Sequence, residues 1–190
     1  MPEREYIVGI DEVGRGPLAG PVTLGYVACP SRLYKRNFKK IRDSKRLTPK
    51  KREEWFSHLK SHPALMCGVT SVGPGTIDRR GISKAVKIGI ARLLACLEVK
   101  PKMLLLDGSL YAPPEYRQKT IIRGDMRIPI IAAASIIAKV TRDRKMIRLA
   151  KKFPHYGFDI HKGYGTRLHR GLLRKYGLSM VHRKSFCTRI

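Results

Sequence analysis

The chain is short of acids, of paired cysteines and of long apolar runs, and each shortage closes a class of protein. Its cysteines, Cys29, Cys67, Cys96 and Cys187, lie far apart, with no Cys-x-x-Cys pair. They have no zinc-ligand spacing, and so few in a domain of this size do not demand a disulfide framework. A reduced, cytoplasmic compartment is expected. No apolar run approaches the length needed to span a bilayer, so no membrane partner is expected. The N-terminus shows neither an apolar signal region nor an Arg/Ser-rich transit pattern. His58 and His62 are four apart but lack the glutamate of a zinc-protease helix, and they read as surface residues. No internal repeat or low-complexity segment is present.

The shortage of acids says most. Fourteen Asp+Glu stand against 40 Lys+Arg, a formal net charge of +26. That excess repels itself in the compact state and points to a polyanionic partner, nucleic acid first. A solvated basic surface suited to a hot or salty habitat is the plainer alternative. At 190 residues and 43% hydrophobic, the chain suits one domain over 1–190, with residues from about 153 forming a helical and loop appendage.

Periodicity places the elements. Residues 5–10 are apolar on both faces, as in the centre of a covered sheet, and 21–28 read as the hairpin partner. Thr48-Pro49 has the form of an N-cap with proline at the first helical position, opening a basic helix to about residue 60. Residues 65–72 read as a strand. Ile82, Ala85, Val86, Gly89, Ile90, Leu93 and Leu97 repeat at helical spacing and mark the main helix on the sheet. Residues 103–107 and 119–123 read as further strands, 129–152 as an Ala/Ile-rich helix turning basic after Lys139, and 166–176 as a short helix. The order predicts a mixed α/β sheet.

The few acids are not scattered. Asp11, Asp107 and Asp125 each follow an apolar strand, and Glu12 adjoins the first. Strand ends on one sheet edge are where α/β folds gather ligand-binding groups. Converging carboxylates force one of their number to protonate unless a cation bridges them, and Mg²⁺ or Mn²⁺ prefers such oxygen ligands. With phosphate as partner the expected chemistry is two-metal hydrolysis, the ions about 4 Å apart. Capping and turn roles are the ordinary alternative for each acid alone. Asp43, Asp78, Asp143 and Asp159 follow no strand and are expected to pair with neighbouring cations. One difficulty stands: neighbours on a strand point to opposite faces. Either the strand ends at Asp11 and the chain turns, which Gly14 and Gly16 make easy, or Glu12 reaches round the edge.

Four segments resemble the ribonuclease HII (type 2 ribonuclease H) family: Gly9 to Val22 with its Asp11-Glu12-Val13-Gly14-Arg15-Gly16 core, Asp43-Ser44-Lys45, Leu106-Asp107-Gly108, and Gly124-Asp125 followed by Ile131 to Asp143. The tail agrees, with His161-Lys162-Gly163-Tyr164-Gly165-Thr166 and His182-Arg183-Lys184-Ser185-Phe186. The resemblance implies a ribonuclease H-like fold: a mixed five-stranded sheet flanked by helices, with a small helical C-terminal part. It implies a metal-dependent endonuclease that hydrolyses the RNA strand of RNA–DNA hybrids and cuts 5′ of ribonucleotides embedded in duplex DNA. The products would carry 3′-hydroxyl and 5′-phosphate ends, a role in ribonucleotide excision repair. Carried over by motif, Asp11, Glu12, Asp107 and Asp125 are the catalytic, metal-binding acids, with Mg²⁺ or Mn²⁺ as cofactor. Gly14-Arg15-Gly16 is the turn that meets the ribose 2′-hydroxyl and adjoining phosphate. Tyr164 stacks at the following deoxyribose, and Lys45, Ser135 and Lys139 lie near phosphates.

The same residue types suit those tasks. A 2′-hydroxyl separates RNA from DNA, glycine lets main chain approach it closely, and an arginine can grip phosphate with two N–H groups. An ordinary tight hairpin turn, a loop aromatic covering the core at Tyr164, a solvated Lys45 and a helix-face Ser135 are the plainer readings. A binding protein without catalysis, resting on charge alone, is the second functional class. The chain starts at the first strand, which favours this resemblance over the related ribonuclease HIII with its extra N-terminal substrate-binding domain, and it ends soon after Phe186, so a C-terminal partner-binding extension is expected to be short or absent. A monomer is expected.

Overall fold

The computed structural model describes residues 5–34 and 47–188. A five-stranded sheet forms the middle layer, in the order β3-β2-β1-β4-β5. Strands β1 (Tyr6–Val13) and β2 (Val22–Pro30) make the expected antiparallel hairpin, and β3 (Met66–Val72) extends it. On the other side of β1, β4 (Pro101–Asp107) and β5 (Gln118–Ile121) run parallel to it. The sheet is mixed, as the sequence predicts, and its central strands β1 and β2 are buried on both faces because helices cover both.

Helix α1 (Pro49–Ser61) begins at Thr48, whose side chain accepts the Lys51 N–H at 3.3 Å, with Pro49 at the first helical position. Helices α2 (Pro74–Arg80) and α3 (Ile82–Ala95) follow β3, broken by Gly81 at φ 75°. The sequence pattern predicts no element between residues 72 and 82, yet Pro74, at the first helical position, starts α2 there. After β5 come one helical turn, α4 (Gly124–Arg127), and the long helix α5 (Pro129–Lys152). Helices α3 and α5 sit on opposite faces of the sheet. Val8, Ile10, Leu24 and Leu104 pack with Ile90 and Leu93 on one side. Val27 and Cys29 pack with Ile130, Ala133 and Ile137 on the other. The main helix of the fold is therefore α5 as much as α3.

Helix α5 lies against the sheet at backbone distance. A Cβ on Gly9 would come within 2.4 Å of the Ile130 carbonyl oxygen, and one on Gly25 within 2.7 Å of the Ala134 oxygen. The alanines of 132–134 keep the helix side of that contact thin. No helix among the described residues is long and apolar enough to cross a membrane.

Beyond α5 the chain builds a third, smaller core. The short helix α6 (Phe158–His161) and helix α7 (Arg167–Tyr176) pack Tyr156, Phe158 and Leu173 against Leu18, Ala19 and Met146. Three buried histidines lie in it. His182 Nδ1 accepts the Ser179 N–H at 2.9 Å, so its proton sits on Nε2 and is donated to His169 Nε2 at 3.1 Å. His169 must then carry its own proton on Nδ1, donated to the Tyr164 carbonyl at 3.0 Å. His161 stacks on His169 with centroids 4.2 Å apart. Every role in the chain requires neutral rings, and burial pushes His169 and His182 down to about 4.

Two predictions follow from this packing. Gly9→Ala overpacks the helix–sheet contact and destabilises by about 1–3 kcal/mol or more, whereas Gly171→Ala, in α7 where a Cβ meets nothing within 4 Å, stabilises by about 0.5–1 kcal/mol. Thermal melts should therefore move in opposite directions. Because His169 and His182 titrate lower folded than unfolded, their contribution is complete above about pH 6.5 and is lost as pH falls toward about 4. Melting temperature should drop over that window, and His169→Gln should flatten the slope; an unchanged slope would place the titration elsewhere.

Candidate active site

Strand β1 does not end at Asp11. It continues through Glu12 to Val13, with Asp11 opposite Gly25, Glu12 opposite Leu24 and Val13 opposite Thr23 on β2. Of the two alternatives, a turn directly after Asp11 is excluded: β2 is long enough to keep pairing for two residues more. Alternation sends Asp11 to the α5 face and Glu12 to the α3 face. Asp107 ends β4 one residue beyond the Ile10–Leu106 pair, beside the strand that carries both. The two acids are split by the pleat but share one neighbour.

Asp11 is 4% exposed. Its Oδ1 accepts the Glu12 N–H at 2.7 Å, and its carboxyl is hydrogen-bonded to the Ser135 hydroxyl on α5. Burial, then the Glu12 and Asp107 charges, hold it well above the usual carboxylate range despite those bonds. Burial also raises Glu12, with Arg15 opposing and Asp107 adding. One Glu12 oxygen faces Arg15 Nη1 at 3.5 Å, while Oε2 is buried with no hydrogen-bond partner among the described residues. The protein holds here more negative charge than it satisfies.

Asp125 departs from its expected place. It lies not at a strand end but in the first turn of α4, four residues past β5, after Arg123 turns the chain at φ 54°. It is fully buried, and its N–H donates to Asp107 Oδ1 at 3.2 Å. The turn brings it behind Asp107 rather than into the open cleft. That cleft, of about 360 Å³, is lined by Asp11, Glu12, Asp107, Ser135, Lys139 and Tyr164, with Val13, Arg52 and Ile136. Among the described residues no three acids, histidines or cysteines form a ready-made metal cage.

The remaining expected residues fall as follows. Lys139 reaches the cleft while paired to Asp143 at 2.9 Å, the cation pairing expected for that aspartate. Ser135 lines the cleft and is hydrogen-bonded there to Asp11. Tyr164 is 39% exposed at the rim, its ring centroid 5.8 Å from Lys139 Nζ and 5.6 Å from the Arg142 guanidinium carbon. Lys45, with Asp43 and Ser44, lies outside the described residues. Gly14 holds φ 88°, and a Cβ there would strike Arg142 Nε at 2.3 Å; at Gly16 a Cβ would meet nothing within 4 Å. The turn is packed solid behind and open in front.

Sequence reasoning missed Arg52 as a cleft wall, and it gave no role to Arg142 and Arg183. Both arginines are fully buried. Arg142 donates to the carbonyls of Ala19, Pro21 and Lys162, and Arg183 to those of Gly14, Arg15 and Gly20. Among 40 basic residues nothing in the sequence marks these two as buried.

Comparison with known proteins agrees with this layout. The sequence model of the ribonuclease HII family matches residues 8–189. A ribonuclease HII of Bacillus mycoides (strain KBAB4) is 45% identical over 181 residues, covering 95% of this chain and 68% of the relative. Among solved structures, the ribonuclease H2 of Pyrococcus horikoshii OT3 superposes with a TM-score of 0.77 at 28% identity, over 96% of this chain and 95% of the other. The structure of the PCNA:RNase HII complex from Archaeoglobus fulgidus matches with a TM-score of 0.76 at 30% identity, over 94% of each chain. On the family match, the identity and the shared sheet and flanking helices, the chain belongs to the ribonuclease HII family, whose members are hydrolytic nucleases.

Proposed function

We propose that the protein is an endonuclease that hydrolyses the RNA strand of RNA–DNA hybrids and cuts on the 5′ side of a ribonucleotide embedded in duplex DNA, leaving 3′-hydroxyl and 5′-phosphate ends. The observation that carries this reading is one of adjacency. The carboxylates of Asp11, Glu12 and Asp107 share a cleft, and one residue beyond Glu12 the chain enters the open-fronted turn Gly14-Arg15-Gly16, with Arg15 three residues after Glu12. Hydrolytic groups and a ribose-reading surface are set three residues apart.

The acids fit a divalent metal. Glu12 Oε2 is buried without a hydrogen-bond partner among the described residues, and Asp11 is held against two like charges. Such an arrangement is costly until a cation arrives. Mg²⁺ is usually held by one or two carboxylates plus water and substrate phosphate, so no all-protein cage is required. We assign Asp11, Glu12 and Asp107 as direct holders, with Asp125 as the fourth acid behind Asp107, and Mg²⁺ or Mn²⁺ as the ion. Bound there, the metal pair supplies a water made nucleophilic at neutral pH and charge stabilisation at the leaving oxygen.

The chain's own residues do the rest. Ser135 fixes the Asp11 carboxyl, and the Asp125 N–H fixes that of Asp107. Lys139 and Arg52 line the cleft where phosphate enters. The Gly14-Arg15-Gly16 backbone meets the 2′-hydroxyl, and Tyr164, held between two cations, offers its ring to the next sugar. A protein that only bound nucleic acid would gain nothing from gathering three acids in the cleft of a chain whose net charge is +26.

The test is a DNA duplex carrying one ribonucleotide, incubated with Mg²⁺ or Mn²⁺ and the cut position mapped. The wild type should cut once, 5′ of the ribonucleotide; an intact duplex under both metals sinks the reading. Asp11→Asn should abolish cleavage and yet raise the metal-free melting temperature at neutral pH. The raised Asp11 value means the folded state disfavours the charge that neutral pH imposes, and asparagine removes it while keeping an acceptor for the Glu12 N–H. Added metal should stabilise the wild type and leave Asp11→Asn unmoved. Gly16→Ala, where a methyl meets no protein atom, should melt within about 0.5 kcal/mol of wild type but lose at least tenfold in cleavage at the single ribonucleotide, measured as kcat/KM.

A further inference from the structure

Arg183 is buried in the third core, far along the sequence from the catalytic strands, yet its guanidinium closes on the opening turn. Nη2 donates to the Gly14 carbonyl at 2.6 Å, Nη1 to that of Arg15 at 2.7 Å and Nε to that of Gly20 at 3.0 Å. All three donor nitrogens are thus spent on main-chain oxygens. No carboxylate pairs with Arg183 among the described residues, and the buried Arg142 nearby bears the same charge.

A trans peptide is planar, with its N–H antiparallel to its C=O. No cis bond is present among the described residues. Pulling the Gly14 oxygen inward therefore turns the Arg15 N–H outward, and pulling the Arg15 oxygen inward turns the Gly16 N–H outward. Neither amide donates a hydrogen bond among the described residues, and Gly16 is exposed with open space in front of it. Two successive outward N–H groups form an anion- and hydroxyl-binding concavity, and a positive charge buried behind them strengthens it.

We infer that Arg183 is a positioning residue: it holds the Gly14 and Arg15 carbonyls inward so that the Arg15 and Gly16 amides face the ribonucleotide and its phosphate. This rests on the reading of that turn as the ribose-recognition element. Arg183 touches no substrate itself. Its planar fork reaches three carbonyls at fixed angles, which a lysine ammonium of equal charge does not reproduce. Arg142 does the companion task, bracing Ala19, Pro21 and Lys162 and filling the space a Cβ would need at Gly14.

The test compares wild type and Arg183→Lys in Ca²⁺, using two duplexes that differ only in one 2′-hydroxyl. Arg183→Lys should bind the all-DNA duplex within about threefold of wild type, because surface cations supply that affinity. Its preference for the ribonucleotide duplex should fall at least tenfold, toward no preference. Loss of folded protein alone lowers both affinities together and leaves their ratio unchanged. The second readout is ¹⁵N–¹H NMR: the ribonucleotide duplex should shift the Arg15 and Gly16 amide resonances in the wild type and not in Arg183→Lys. A folded Arg183→Lys with wild-type preference and wild-type shifts overturns the inference. So do Arg15 and Gly16 amides that do not respond in the wild type, a measurement that needs no variant to fold. A wild type without any preference for the ribonucleotide would sink the reading of the turn instead, and the amide shifts in the two proteins would still decide whether Arg183 sets their direction.

Discussion

The contact on which the rest of the structure depends is that of α5 with the first hairpin. Gly9 and Gly25 have no side chains, so the helix backbone rests on the sheet, the Ile130 and Ala134 oxygens standing where Cβ atoms would otherwise be. Once that distance is set, one helical face supplies the site at intervals of four and three residues. Ser135 reaches Asp11, Lys139 lines the cleft, and Arg142 braces the turn after β1. Any residue larger than glycine at 9 or 25 would lift all three together. The helix is therefore a ruler as well as a core element.

What could be read from the sequence was whatever obeyed a period. The alternating and continuous apolar runs marked β1 to β4, Thr48-Pro49 marked the start of α1, and the Ala/Ile pattern marked α5 with its observed bounds, Pro129–Lys152. Failures came where a single backbone angle decided the outcome. Arg123 at φ 54° turns the chain so that Asp125 sits in a helical turn, and an arginine carries no mark of that conformation. The persistence of β1 through Glu12 depended on the length of β2, a partner effect invisible within the stretch itself. The acids of the site were legible because acids are rare here; the buried arginines and histidines were not, because basic residues are common. A polar side chain is buried when partners are waiting for it, and those partners are carbonyl oxygens contributed by distant segments.

Those partners explain why the C-terminal part is joined so firmly to the N-terminal turn. Leu18 donates to the Gly163 carbonyl, Gly20 to that of Val181, and Arg183 donates its own amide to Leu18. With the guanidinium contacts and the His182–His169–Tyr164 chain, the two segments share one hydrogen-bond network around a small apolar core. Removing one member of such a network leaves buried groups unpaired, which costs more than the bond was worth. The turn and Tyr164, which flank the cleft, are thereby fixed relative to each other by the same residues. The tail thus fixes the geometry of the turn proposed for recognition although it supplies no acid.

On the function proposed, the charge of +26 and the turn divide the work of binding. Phosphate contacts from surface cations give affinity that falls steeply with salt and carries no information about the sugar. A side chain is a poor reader of one hydroxyl in such a field, since a flexible cation finds a phosphate oxygen on any nucleotide. Main-chain N–H groups whose peptide carbonyls are held by a buried arginine have neither that freedom nor that long reach. They reward only a group that enters the space left open at Gly16. On the function proposed above, placing that rigid reader at the end of the strand that carries Asp11 and Glu12 would tie discrimination to hydrolysis: the nucleotide that fits the turn would be the one whose phosphodiester lies beside the carboxylates.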